Sequence, residues 1–254
     1  SCKDSFVDEC NIDFLFFSDE ETGSDDSKEI TALLAPNYDY CFVFEAAGAN
    51  MEVVTQRKGV GTFTITIDGL AAHAGNQYDK VIDANLEASY KLQELVKLTN
   101  LELQTTVNVG KINGGIGANT ISPKCELLLE IRYTTNDEKI RVLKSLENIA
   151  NTSYVKGSKS TLNGAIQRDV MQENTKQLEF IKELENITNT TILKEKRGGV
   201  SDANIVASCG VTTLDGFGPF GDGDHTIKER ALKSSFTSRI ELMTKILNHF
   251  QKNL

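Results

Sequence analysis

Two kinds of apolar patterning alternate along the chain. Ile12–Phe17 and Tyr40–Phe44 are short, almost continuous apolar runs, the pattern of strands buried on both faces of a parallel or mixed sheet. Gly61–Asp68 instead alternates small or polar with apolar residues, which predicts a half-buried strand. Leu103–Ile112 and Cys125–Tyr133 predict two more strands joined by a glycine-rich loop. Asp79–Leu98 places Val81, Ile82, Leu86, Leu92, Leu95 and Val96 on one helical face, and Asn136–Ala150 does the same with Ile140, Leu143, Leu146 and Ile149. A short strand is expected near Ser153–Lys156. Beyond it the pattern predicts a helix over Thr175–Asn189, a short helix over Ala203–Ser208, a short buried strand at Val211–Leu214 and a long closing helix within Ile227–Asn253.

From Gly59 to about Ser160 the order is strand, helix, strand, strand, helix, strand. This is the split βαβ arrangement of a self-sufficient small domain. The expected organisation is a larger α/β domain built from both ends of the chain, residues 1–58 and 161–254, with residues 59–160 inserted as a lid. Hinges are expected near Arg57–Gly59 and Ser158–Gly164. The Ser1–Asp13 stretch reads as a helix-to-strand passage with no initiator Met, so an upstream segment is expected.

The chain has 254 residues, 39% apolar and 25% charged, with a net charge of −9. That balance repels phosphate backbones and argues against a nucleic-acid partner. No apolar run approaches the ~20 residues that span a bilayer. The five scattered cysteines form no C-x-x-C pair and fit a reducing, cytoplasmic setting better than a disulfide framework. The sequons at Asn151, Asn186 and Asn189 then carry no glycan.

Candidate chemistry gathers where apolar runs end. Ile12–Phe17 runs into Asp19, Glu20 and Glu21, and Tyr40–Phe44 into Glu45. Ligands of open α/β sheets collect at the carboxyl ends of strands, and crowded carboxylates call for a cation or a proton. The competing reading of Asp19–Ser24 is a solvated acidic turn in which Thr22 or Ser24 caps the next helix. His225 stands in the glycine-rich stretch Gly216–Thr226, beside Asp222 and Asp224. Glu21, Glu45 and His225 form an oxygen and nitrogen donor set for Zn²⁺ or a similar ion, leaving Glu20 as a general base. His249 reads as a packing residue. His73, flanked by small residues, is either a turn histidine satisfied by backbone or an oxyanion donor. Arg132, inside an apolar strand, needs Glu130 or a substrate carboxylate. Lys111–Asn119 is glycine-rich but lacks Lys-Ser/Thr and leads into a strand, so it is not a phosphate loop.

Taken in order, Phe17–Ser24, Val43–Glu45, Arg57–Gly59, Gly69–Gly75, Gly117–Asn119, Glu130–Arg132, Gly198–Ala203 and Gly216–His225 resemble the zinc-dependent aminoacylase/carboxypeptidase G metallopeptidase family. That family includes acetylornithine deacetylase, succinyl-diaminopimelate desuccinylase and peptidase T. The resemblance implies a zinc-exopeptidase-like mixed sheet with helices and an inserted ferredoxin-like α+β lid and dimerisation domain. It implies that Glu20 is the base, Glu21 and His225 share one metal, and Glu45 serves the other, with two Zn per chain in the full-length form. His73 would reach into the partner subunit's site, and Asn119 and Arg132 would grip a carboxylate of a small-molecule or peptide substrate. A homodimer through the lid follows from the same resemblance.

The family's His-x-Asp and its bridging Asp should lie upstream of Glu20, where this sequence has no His. One metal therefore keeps two expected ligands and the other only Glu45, and weak metal binding with impaired hydrolysis is expected of the chain as it stands. Ala46, Glu130 and the position of Pro123 also depart from the family pattern. The leading expectation is a metal-dependent amidohydrolase of N-acyl amino acid or dipeptide-like substrates. The alternative is a non-catalytic dimerising or ligand-binding relic.

Overall fold

The computed structural model describes residues 12–76, 78 and 81–252. It is a mixed α/β protein whose elements are α1 (Ser27–Leu34), β1 (Tyr40–Phe42), β2 (Val53–Arg57), β3 (Gly59–Asp68), α2 (Ala84–Val96), β4 (Thr106–Gly114), β5 (Lys124–Tyr133), α3 (Asn136–Asn151), β6 (Lys159–Arg168), α4 (Thr175–Thr188), β7 (Lys194–Arg197), α5 (Asp202–Ser208), β8 (Thr212–Leu214), β9 (Gly221–Asp222), β10 (Arg230–Ala231) and α6 (Lys233–Lys252). They divide between two compact units, the second running from Lys58 to Val170. Most of the expected Ser1–Asp13 passage, with Cys2 and Cys10, lies outside the described residues. Among the described residues Cys41, Cys125 and Cys209 are free thiols, and no helix is long and apolar enough to cross a membrane.

In the first unit β1 pairs in parallel with β8, and β2 with β7. An antiparallel bridge between Val54 and Asp215 joins the two pairs into one mixed sheet. Val53, Phe180, Ile181, Leu184, Leu214, Phe217 and Ile246 bury its main core, to which α4 and α6 contribute. Ala35, Val206 and Val211 form a smaller cluster near α5. Polar side chains start the helices. Asn174 and Gln177 form a capping box on α4, and Ser201 and Asn204 do the same on α5.

The second unit is an antiparallel sheet in the order β4-β5-β3-β6, the split βαβ topology expected from the pattern. Along β5 the residues Cys125, Leu127, Leu129, Ile131 and Tyr133 are buried. They meet Phe63, Ile65 and Ile67 of β3 and the inner faces of α2 and α3 in one core. Gly59 lies opposite Tyr133, where a Cβ would fall 2.3 Å from the tyrosine ring. The ring thus occupies the space that any larger residue would need.

Two expectations fail. Ile12–Phe17 is not a buried strand: Phe14, Leu15 and Phe16 are 54%, 49% and 89% exposed, and the run forms no ladder. An apolar run becomes a central strand only with neighbours on both sides, and no described strand pairs with this one. The strand expected at Ser153–Lys156 is also absent there. It is β6, which pairs with β3 over Lys159–Arg168, so the sheet of this unit ends later in the chain than expected.

The least foreseeable feature of the second unit is a fully buried ion pair. Lys91 and Glu87, one turn apart on α2, are both 0% exposed and 3.1 Å apart. Lys91 Nζ donates to the carbonyls of Ile149, Ala150 and Thr152 at the end of α3. Glu87 accepts from the amides of Tyr154 and Val155. The pair therefore closes a helix end and fixes the turn after it. Removing one partner strands the other in the core. Lys91→Met should cost about 3–5 kcal/mol, whereas losing the exposed Lys28–Asp25 pair should cost under about 1 kcal/mol. Urea unfolding of both variants checks this, and equal small losses would contradict it.

Candidate metal centre

The three acids that follow Phe17 have separate fates. Asp19 turns back on the chain, its Oδ2 accepting from the amides of Asp26 and Ser27 at the start of α1. The helix is thus served by Asp19 and not by Thr22 or Ser24. Glu20 and Glu21 form the 3-10 turn Glu20–Thr22, which Gly23 closes at φ 110. Glu21 is exposed, and its Oε2 lies 3.5 Å from His225 Nδ1. His225 is itself exposed, in the connection between β9 and β10, which Asp222 and Arg230 brace with a bidentate ion pair.

Glu45 lies just past β1. Its carbonyl accepts from Gly218 N at 2.8 Å, so the chain after β8 runs hard against the strand end. A Cβ on Gly218 would fall 2.7 Å from the carbonyls of both Phe44 and Glu45, so only glycine fits. Burial pushes the Glu45 carboxyl up to about 7, and the negative charges of Asp215, Glu20 and Glu21 add to the rise against the opposing charge of Arg57. Glu45 therefore shares an electrostatic neighbourhood with the turn that carries Glu20 and Glu21.

Beneath these acids lies a pair that sequence reasoning gave no role. Asp215 is fully buried and takes Arg57 Nε on Oδ2 at 2.5 Å. The same oxygen accepts from Ser201 Oγ at 2.8 Å, and Oδ1 accepts from Gly216 N. Arg57 Nη1 donates to the carbonyl of Gly199. The signal was present: the short strand expected at Val211–Leu214 also ends in an acid. Counting Glu20, Glu21, Glu45 and Asp215 against Arg57, the locality is rich in negative charge and offers carboxylates and one imidazole, donors that suit a divalent cation. Among the described residues, however, no three His, Cys, Asp or Glu side chains stand close enough together to close around one ion.

The remaining candidates lie in the second unit. His73 bridges Thr120, and Ala74 N donates to the carbonyl of Asn119, so His73 and Asn119 are neighbours. His73 Nδ1 accepts from Gly75 N, leaving Nε2 as the nitrogen able to donate. Arg132 forks onto Glu130, the first of its two expected partners. It lies eight residues along β5 from Lys124, about 27 Å at the rise of a strand, and His73 and Asn119 lie beyond that end. One copy of the chain cannot bring Asn119 and Arg132 to the same carboxylate.

Residues 55–158 match the family model described as the M20 peptidase dimerisation domain. The second unit of the chain thus resembles the M20 peptidase dimerisation domain. Carboxypeptidase G2 of Pseudomonas sp. is 28% identical over 140 residues, 55% of this chain and 34% of that protein. N-acetyl-L-citrulline deacetylase of Xanthomonas campestris is 31% identical over 127 residues, 47% of this chain and 34% of that protein. The YxeP protein of Bacillus subtilis, described as a dinuclear metal-binding peptidase of the M20 family, superposes with a TM-score of 0.65 at 13% identity over 92% of this chain and 64% of that one. The matches thus span about a third of the curated relatives and under two thirds of the solved M20 structure.

Asp215 holds the sheet end together, and its removal should be felt twice. Asp215→Asn leaves Arg57 buried without its counter-charge and should cost about 3–5 kcal/mol in chemical unfolding. It also removes a negative neighbour of Glu45, so the Glu45 carboxyl should titrate below about 7, as read by NMR of its side-chain carbon. An unchanged midpoint and a loss under about 1 kcal/mol would contradict the arrangement.

Proposed function

We propose that the chain belongs to a metal-dependent hydrolase that cleaves an amide bond in small N-acyl amino acid or dipeptide-like substrates bearing a free carboxylate. The observation that carries this reading is the gathering of Glu20, Glu21, Glu45 and Asp215, from three separate segments, with Arg57 bound to Asp215 and the His225 imidazole beside Glu21. The likeness to a carboxypeptidase and to an N-acyl amino acid deacetylase supports the substrate class. The metal-binding description of the YxeP structure supports the cofactor.

Glu21 and His225 would hold one zinc ion and Glu45 would contribute to a second, and bound zinc would supply Lewis acidity at the scissile carbonyl. Glu20, next to a ligand but not itself one, takes the proton of the attacking water and delivers it to the leaving nitrogen. His73 donates to the developing oxyanion, and Asn119 and Arg132 hold the substrate carboxylate. Arg132 and the loop that carries Asn119 lie towards opposite ends of β5, which argues that they come from different copies and supports a homodimer formed through the second unit.

A second reading, a non-catalytic dimerising or ligand-binding relic, draws on the wide spacing of the described donor groups. Elemental analysis of the purified protein separates the two, since zinc at near two per chain fits only the first. Glu20→Gln in the metal-loaded full-length form should abolish amide hydrolysis while leaving metal content unchanged. Turnover retained in that variant would remove Glu20 from the mechanism.

A further inference from the structure

The turn bearing Glu20 and Glu21 is a slight scaffold for a base and a ligand. It is three residues long, half-buried at Glu20 and exposed at Glu21 and Thr22, and shaped by local bonds from Thr22 N and Ser24 N to the Asp19 carbonyl and from Gly23 N to the Glu20 carbonyl. Besides the exposed contact of Glu21 with His225, Ser24 ties it to the rest of the unit. This side chain is fully buried, and its hydroxyl donates to Asp202 Oδ1 at 2.6 Å, 178 residues further along the chain. Asp202 opens α5, whose capping residue Ser201 donates to Asp215, and Asp215 holds Arg57. A continuous run of polar contacts therefore joins the Glu20–Glu21 turn to the ion pair whose carboxylate also bears on Glu45.

Ser24 also sits at φ 52, in the left-handed region where glycine rests without strain and other residues do not. A glycine would relieve the backbone, so the position uses the hydroxyl. Resting on the metal-centre reading, we propose that Ser24 and Asp202 are positioning residues that set where the Glu20 and Glu21 carboxylates point. They touch neither metal nor substrate.

Three variants of the full chain test this. Ser24→Gly removes the hydroxyl and the strain together, Asp202→Ala removes the acceptor, and Asp202→Asn keeps an oxygen acceptor. Zinc affinity is read by competition with a chromophoric chelator, the turn by amide hydrogen exchange over residues 19–24, and the fold by the thermal midpoint. Ser24→Gly and Asp202→Ala should weaken zinc binding about 10- to 100-fold, the range seen when groups that orient metal ligands are removed. Both should speed exchange in the turn, while Asp202→Asn restores both readouts and the thermal midpoint of Ser24→Gly holds or rises.

Wild-type zinc affinity and unchanged exchange in Ser24→Gly or Asp202→Ala would overturn the proposal. So would an equal fall in all three variants that merely tracks a lowered thermal midpoint. Glu21→Ala is the control. If it leaves zinc affinity unaltered, the metal-centre reading fails and the positioning role fails with it. If it weakens zinc and Ser24→Gly does not, only the positioning role fails.

Discussion

The first unit is organised around one contact, the buried ion pair of Arg57 and Asp215 at 2.5 Å. Both charges are removed from water, which is costly unless every remaining donor and acceptor is satisfied. Here they are met by Ser201, Gly216 and the Gly199 carbonyl. The pair sits where β2 and β8 are joined and where Arg57 exchanges both backbone hydrogen bonds with Met171, the two positions at which the chain leaves and re-enters this unit. A single contact thus anchors the crossing strands, the start of α5 and the strand end that carries Glu45. Buried ion pairs are poor sources of net stability but strict selectors of geometry, and a cluster of convergent carboxylates needs geometry most.

The same interaction adds to the electrostatics above it. Burial is the main reason that Glu45 is reluctant to ionise; the charges of Asp215, Glu20 and Glu21 add to it, and Arg57 offsets them only in part. The locality has more negative than positive charge, a balance that a divalent cation would offset. The turn with Glu20 and Glu21 and the loop with His225 are exposed parts resting on a rigid floor, a common division of labour between scaffold and binding loops.

Much of this was legible in the chain. Period-two alternation and amphipathic helices marked the split βαβ unit, because its strands are buried on one face and its helices pack there. Glu45 was readable at the end of the apolar run Tyr40–Phe44, whereas Asp215, which follows β8 in the same way, was passed over. What stayed hidden depends on partners distant in sequence. Phe14–Phe16 looked like a core strand because composition registers apolarity and not neighbours. Nothing in the apolar pattern marked Lys91 and Glu87, which α2 turns inward to meet the end of α3. Asn119 and Arg132 looked like one grip until β5 set them apart.

Zinc-edge X-ray absorption on the zinc-loaded chain and on His225→Ala tests the convergence of these donors most directly. The account predicts oxygen and nitrogen ligands at about 2.0–2.1 Å, with the outer-shell scattering of one imidazole that disappears in the variant. Sulfur ligation, or an imidazole signal that survives the loss of His225, would contradict it.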